Sequence, residues 1–119
     1  MEIKRSGPIH NGRMSTVVQH GDVLYLCGLL AGTAEQNAKE QTEEVLALAD
    51  TILSEHGSDK SHLLSASIYL HDIQKNFQGM NEAWDNWVDR ENPPARICVE
   101  ANMSDPAHLV EILFVAVRK

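Results

Sequence analysis

The chain has 119 residues, of which 43% are hydrophobic, and its 17 acidic and 10 basic side chains give a formal net charge of -7. This length predicts a single domain over residues 1–119, and the acidic balance with scattered cations argues against a nucleic-acid surface. No run approaches the roughly 18 apolar residues of a membrane span, and residues 1–5 lead into no apolar signal core. We therefore expect a cytoplasmic protein without membrane association.

The first quarter of the chain has the pattern of strands and turns. Residues 1–13 combine Gly7, Pro8 and Gly12 with polar groups, which predicts a short strand followed by a loop. Residues 16–19 and 23–27 flank a polar turn at 20–22, which is typical of a hairpin. Apolar side chains occupy both alternating positions of the second of these strands, so it must be covered on both faces.

Two amphipathic helices follow. The apolar period becomes helical over residues 35–56, and Gly57 predicts the end of the helix. The predicted buried stripe of this helix consists of Val45, Leu48, Ala49, Ile52 and Leu53. Residues 64–70 predict a further strand. The second helix, which ends before Pro93, is predicted to bury Phe77, Met80, Trp84, Trp87 and Val88.

The last two strands, around 95–100 and 109–118, each carry a charge within an apolar run. Arg96 opens the first, and Glu111 alternates in phase with Leu109, Leu113 and other apolar residues of the second. A charge in such a strand is costly unless it is paired or used. The loop-like residues 102–106 predict that the two strands pair as an antiparallel hairpin, which would bring Arg96 and Glu111 together.

The predicted order is β-β-β-α-β-α-β-β, an α+β domain. Two helices can cover only one face of a six-stranded sheet, while several strands are apolar on both faces. The simplest cover for the second face is another copy of the chain, so we expect an oligomer.

The stretch Pro94-Ala95-Arg96-Ile97-Cys98-Val99-Glu100, with Glu111 fifteen residues after the arginine, resembles the reactive intermediate deaminase (RidA/YjgF) family. Residues 80–84, 66–72 and 23–28 extend the resemblance over nearly the whole chain. It implies the chorismate-mutase-like fold, also that of endoribonuclease L-PSP-like proteins: a six-stranded mixed sheet with two helices on one face, assembled as a homotrimer with clefts between subunits. The implied activity is hydrolysis of enamine/imine acids such as 2-aminoacrylate and 2-iminopropanoate to 2-oxo acids and ammonia.

Two of the matching residues carry the implied chemistry. A guanidinium grips a carboxylate with two parallel hydrogen bonds, and the resemblance assigns Arg96 to the substrate carboxylate. From spacing alone, an ion pair with Glu111 or Glu100 is an equal alternative. The resemblance assigns Glu111 to orienting the hydrolytic water, and ion pairing with a nearby cation is again the alternative.

Three further matches concern the pocket wall. Cys98 lies two residues beyond Arg96, hence on the same strand face. The resemblance implies that Cys98 lines the pocket and contacts the ligand through its backbone, with no chemical role for the thiol. From the sequence alone, the thiol is interpreted as a small apolar side chain that fills space in the strand. The resemblance also places Asn81 near the pocket at a helix start, where a helix-terminal hydrogen bond is the alternative. Gly28 matches a pocket glycine.

The chain departs from the family at the other wall. Met14 stands where the best-characterised members have a tyrosine, and Cys27 replaces the serine before Gly28. Both changes remove a hydroxyl from the predicted substrate-binding set, which is typical of a side branch. They favour an alternative function, a non-catalytic module that holds a small carboxylate in the same cleft.

No cofactor or metal site is predicted. The six histidines share no face at ligand spacing, and the two cysteines lie far apart without a Cys-x-x-Cys pair, so reduced thiols are expected. The chain has no glycine-rich phosphate loop, and no lysine is placed for a Schiff base. The expected partners are therefore a small carboxylate and further copies of the chain.

Overall fold

The computed structural model describes residues 1–32 and 36–119. Its elements in chain order are β1 (Ile3–Ile9), β2 (Met14–His20), β3 (Val23–Leu26), α1 (Ala38–Glu55), a 3-10 turn (Lys60–His62), β4 (Leu63–Leu70), α2 (Ile73–Trp87), β5 (Ala95–Glu100) and β6 (Val110–Val117). The predicted order of strands and helices is confirmed. The predicted first helical residue, Glu35, lies outside the described residues.

The six strands form one mixed sheet in the order β1-β2-β3-β6-β4-β5. Every neighbouring pair is antiparallel except β4 and β5, which are parallel because α2 carries the chain back to the end at which β4 started. β6 pairs with β3 and β4, so β4 separates it from β5. The predicted hairpin between the last two strands is therefore wrong.

Local signals set the ends of α1. Asn37 accepts from the Glu40 amide at 2.8 Å, and the Glu40 side chain accepts from the Asn37 amide, which makes a capping box. After the helix, Gly57 takes the left-handed conformation (φ 74°), as predicted for the stop signal.

The helices bury most of their predicted stripes, with one error in each. In α1, Leu48 is 40% exposed and Leu46 is buried instead. In α2, Met80 and Trp84 are buried, Trp87 and Val88 are partly buried against the core, and Phe77 is 42% exposed. Both errors lie at the margin of an apolar stripe, where the position of the sheet decides which side chain is covered.

The sheet has a covered face and an open face. In β6, Val110, Ile112, Phe114 and Ala116 are fully buried beneath the helices. The alternate residues, from Glu111 through Leu113 to Val117, point to the face that no helix covers. The apolar residues in phase with Glu111 are therefore not core residues of the single chain. Large apolar side chains on this face remain exposed: Tyr25, Ile97, Val99 and Leu113.

Within the described ranges, neither helix is long and apolar enough to cross a membrane.

Candidate active site

Arg96 lies on the covered face at the free edge of the sheet. It pairs with Ala66 of β4, a buried residue, and its side chain reaches over α2. Its Nη1 donates to Asn81 Oδ1 at 2.8 Å, and the guanidinium carbon lies 5.3 Å from the centre of the Trp84 ring. One hydrogen bond and one cation–π contact thus fix the guanidinium plane.

The charge of Arg96 has no carboxylate partner in the described part of the chain. Among residues 1–32 and 36–119, no carboxylate oxygen lies within the 4.0 Å ion-pair distance of this guanidinium. Glu100 is engaged elsewhere, since its Oε1 accepts from the Ile73 amide at 3.0 Å. The single chain therefore contains neither of the ion pairs considered for Arg96.

The guanidinium borders a surface cleft of about 450 Å³, which we call the Arg96 cleft. Its lining residues are Asn81, Trp84, Asp85, Val88, Arg90, Pro93 and Arg96. Asn81 lies in the middle of α2, so the predicted position at a helix start, with its helix-terminal hydrogen bond, is wrong. The Asn81 amide instead holds the arginine.

Cys98 shares the covered face with Arg96, as the strand alternation predicted, because its partner in β4 is the buried Ile68. The Cys98 side chain packs against the core. Burial raises the pKa of the Cys98 thiol, and the nearby Arg96 charge offsets only part of that effect. The thiol therefore stays protonated at neutral pH, which fits a packing role better than that of a nucleophile.

Glu111 lies on the open face, opposite Tyr69 of β4. A Cβ atom added to Gly28 would lie 3.0 Å from Glu111 Cδ and overlap its carboxylate, so only glycine leaves room for this side chain. The carboxylate borders a cavity of about 250 Å³, the Glu111 cavity. Its lining residues are Gly28, Tyr69, Ala101, Asn102, Met103, Glu111 and Leu113.

Cys27 and Met14 lie on the same open face. The Cys27 amide donates to the Thr16 carbonyl at 2.9 Å, and Met14 is two residues before Thr16 along β2. Burial and, more weakly, the Glu111 carboxylate raise the pKa of the Cys27 thiol. Cys27 is thus close enough to Glu111 to be affected by its charge, whereas Met14 shares only the face of the sheet.

The single chain does not bring the two groups of predicted residues together. Arg96 pairs with Ala66, and Glu111 pairs with Tyr69 three residues further along β4. The two side chains are therefore offset by about 10 Å along the sheet and about 10 Å across it, and they point to opposite faces. The chain carries two half-sites, an arginine with an amide and an aromatic ring, and a carboxylate beside a glycine.

Some site residues were not predicted as such from the sequence. Trp84 was predicted as core, and it is indeed 6% exposed, but one face of its ring also supports Arg96. Its spacing of three residues from Asn81 on one helix could have signalled a shared face. Tyr69, Asn102 and Met103 line the Glu111 cavity through strand pairing and loop placement, which leave no periodic signal in a sequence.

The fold and the half-sites define a class of small α+β proteins with an arginine beside a cleft at one sheet edge and a glutamate on the open face. The family described as Endoribonuclease L-PSP matches residues 5–118. A RutC family protein of Haemophilus influenzae is 45% identical over 117 residues, 98% of either chain. The RutC family protein YoaB of Escherichia coli K12 is 41% identical over 104 residues, 87% of this chain and 90% of the relative.

A solved structure of a YjgF family member from Neisseria meningitidis superposes with a TM-score of 0.93 at 41% identity, covering 100% of this chain and 97% of the other. The chain belongs to this family, the RidA/YjgF family that its Pro-Ala-Arg strand resembles.

Proposed function

We propose that the protein hydrolyses reactive enamine/imine acids of the 2-aminoacrylate/2-iminopropanoate type to 2-oxo acids and ammonia. The observation that carries this proposal is the Arg96 guanidinium, which is held in place by Asn81 and Trp84 while its charge has no carboxylate partner among the described residues. A fixed, uncompensated guanidinium at a cleft is suited to bind a small carboxylate from solution. Membership of the family supports the same ligand class.

The proposed site joins half-sites from two subunits of a homotrimer. Arg96 and Glu111 of one chain face opposite sides of the sheet, so a substrate in contact with both needs them from different copies. The exposed apolar side chains of the open face, among them Tyr25 and Leu113, supply a surface that association would bury.

In this cleft, Arg96 and the Cys98 backbone hold the substrate carboxylate, and Asn81 keeps the guanidinium plane in place. The protonated imine is already electrophilic, so the main requirement is a directed water. Glu111 of the neighbouring subunit accepts a proton from that water as its oxygen bonds to the imine carbon. The glutamate then returns the proton to the nitrogen. As the C–N bond breaks and ammonia leaves, the hydroxyl proton passes to Glu111 and then to solvent, which leaves the 2-oxo acid. No step requires a cofactor.

A second candidate function is a non-catalytic module that binds a small carboxylate for regulation. Cys27 and Met14 favour it, because neither side chain offers a hydroxyl group. RNA cleavage is not our proposal, although the family description contains that activity, because the net charge of -7 gives poor attraction for a polyanion.

The test is a coupled assay in which an amino-acid oxidase generates a panel of imino acids. The rate at which the protein hydrolyses each imino acid is compared with the spontaneous rate. We expect Glu111→Gln to lower turnover about 100-fold, because it deletes the base and keeps the shape. Its affinity for pyruvate, an unreactive 2-oxo acid, should stay within a few-fold. The matched control is Glu55→Gln at the exposed end of α1. Saturable pyruvate binding without turnover by the parent protein would support the binding module instead, and full turnover by Glu111→Gln would remove the glutamate from the mechanism.

A further inference from the structure

The Glu111 cavity has a second polar wall that the proposed mechanism does not use. Asn102, in the segment after β5, lines this cavity together with Glu111. Ala101 and Asn102 also border an adjoining depression of about 440 Å³, where His71 follows the end of β4. His71 is two residues beyond Tyr69, the strand partner of Glu111. An amide and an imidazole thus converge at the mouth of the cavity that holds the carboxylate.

A hydrogen bond joins these two side chains. The Nδ1 atom of His71 lies 2.8 Å from Asn102 Oδ1, and since this oxygen can only accept, the imidazole N–H donates. The amide oxygen is then engaged by the histidine. The Nδ2 group of Asn102, with its two N–H donors, makes no protein hydrogen bond within residues 1–32 and 36–119, and Asn102 lines the cavity.

The backbone on both sides of this pair is anchored. The His71 amide donates to the Leu109 carbonyl at 2.9 Å, and the His71 carbonyl accepts from Asn76 Nδ2 at 2.6 Å. The Ala101 amide donates to the Leu70 carbonyl at 3.1 Å. The histidine and the asparagine therefore extend from fixed chain segments, although the Asn102 side chain itself is at the surface. Such an anchored pair can hold a donor in place before a ligand arrives.

We propose that Asn102 donates an Nδ2 hydrogen bond to the hydrolytic water that Glu111 directs, and that His71 is the positioning residue that orients the Asn102 amide. This inference rests on the proposed function. A water that donates one O–H to a carboxylate still has two lone pairs. If the Asn102 amide donates to one of them, the other is left to attack the imine carbon. Asn102 and His71 lose no proton in this step, since the proton moves through Glu111 to the leaving nitrogen.

The test compares variants by turnover of an oxidase-generated imino acid, by pyruvate affinity and by melting temperature. Asn102→Ala and Asn102→Asp both remove the donor, and the aspartate keeps the size of the side chain. We expect each to lower kcat about tenfold, the effect of one lost hydrogen bond, while pyruvate affinity changes less than twofold. His20→Ala, in the distant hairpin between β2 and β3, is the matched control and should leave turnover unchanged.

His71 acts through Asn102, so the two substitutions should not be additive. His71→Ala is expected to lower kcat about threefold. His71→Gln should recover part of that loss, because its amide can donate to Asn102. The double variant, His71→Ala with Asn102→Ala, should have the same kcat as Asn102→Ala alone. If the losses in kcat are additive, or if they parallel a fall in melting temperature, the hydrogen bond between His71 and Asn102 only stabilises the loop and the inference is wrong. If Glu111→Gln loses turnover and Asn102→Ala does not, this inference is wrong and the proposed function stands. If neither variant loses turnover, this inference and the role of Glu111 are both wrong, and only absence of turnover by the parent protein would overturn the proposed hydrolysis.

Discussion

Arg96 illustrates how a charged side chain can be placed without being neutralised. Its hydrogen-bond partner, Asn81, and its aromatic partner, Trp84, are both uncharged groups of α2. They restrict the orientation of the guanidinium and do not neutralise its positive charge. An internal ion pair would place the side chain as well, but it would compete with a ligand carboxylate. Neutral partners are therefore what the proposed carboxylate-binding role of Arg96 requires.

We expect Arg96→Lys to keep the fold and lose at least tenfold in affinity for pyruvate, measured by calorimetry. An ammonium is a point charge that cannot form the two parallel hydrogen bonds, and loss of one charge-assisted contact is worth about 1.5 to 3 kcal/mol. Arg118→Lys, at the end of β6 and partly exposed, is the control with the same chemical change. Unchanged pyruvate affinity in a folded Arg96→Lys variant would assign this residue a structural role.

The sequence was informative about residues where strand alternation alone decides the outcome. It placed Cys98 on the face of Arg96, and the register with β4 confirms that placement. It placed Glu111 in phase with Leu113, which is also correct, but it could not tell which face the helices would cover. It did not predict the support of Arg96 by Asn81, because that contact joins an edge strand to the middle of a helix.

At the level of elements, the last residue of β5 caps the first turn of α2. Asp72 stands at the N-cap position with φ 44°, and its side chain makes no capping hydrogen bond. Glu100 takes over that role from the end of β5, since its carboxylate accepts from the Ile73 amide. A carboxylate at this end of the helix also interacts favourably with the helix dipole. The parallel strand and the crossover helix are therefore joined directly at this point.

We expect Glu100→Ala to lower the free energy of unfolding by about 1 kcal/mol, the usual cost of a lost N-cap. Glu100→Gln keeps an acceptor oxygen and should cost less. Thermal or urea denaturation measures both, with Glu91→Ala in an exposed loop as control. Equal stability of Glu100→Ala and the parent protein would contradict the capping role.

The elements that the sequence predicts well are those whose ends are set locally. The turn between β2 and β3 and the stop at Gly57 both depend on residues within a few positions. The pairing of β5 was mispredicted because a loop of suitable composition is compatible with a hairpin but does not require one. The neighbour of β5 was decided by α2, which packs against α1 and returns the chain parallel to β4.

At the level of the whole molecule, the open face should be the surface by which copies associate. We expect Leu113→Glu to shift the proposed trimer toward monomer in light scattering and to lower the melting temperature, because it would introduce a charge into an apolar contact between subunits. Leu48→Glu on α1 is the matched control, since Leu48 is 40% exposed and Leu113 is 37% exposed. A parent protein that is a stable monomer at micromolar concentration would exclude the shared cleft.

The placement of the two half-sites on opposite faces of the sheet also affects how such a protein can evolve. Met14 and Cys27 lie with Glu111 on the open face, whereas Arg96, Asn81 and Cys98 lie on the covered face. Substitution of Met14, which is exposed on the open face, would therefore leave the contacts that hold Arg96 unchanged. Under the proposed function, a lineage built this way can change or lose its chemistry while it keeps the arginine that would recognise a small acid.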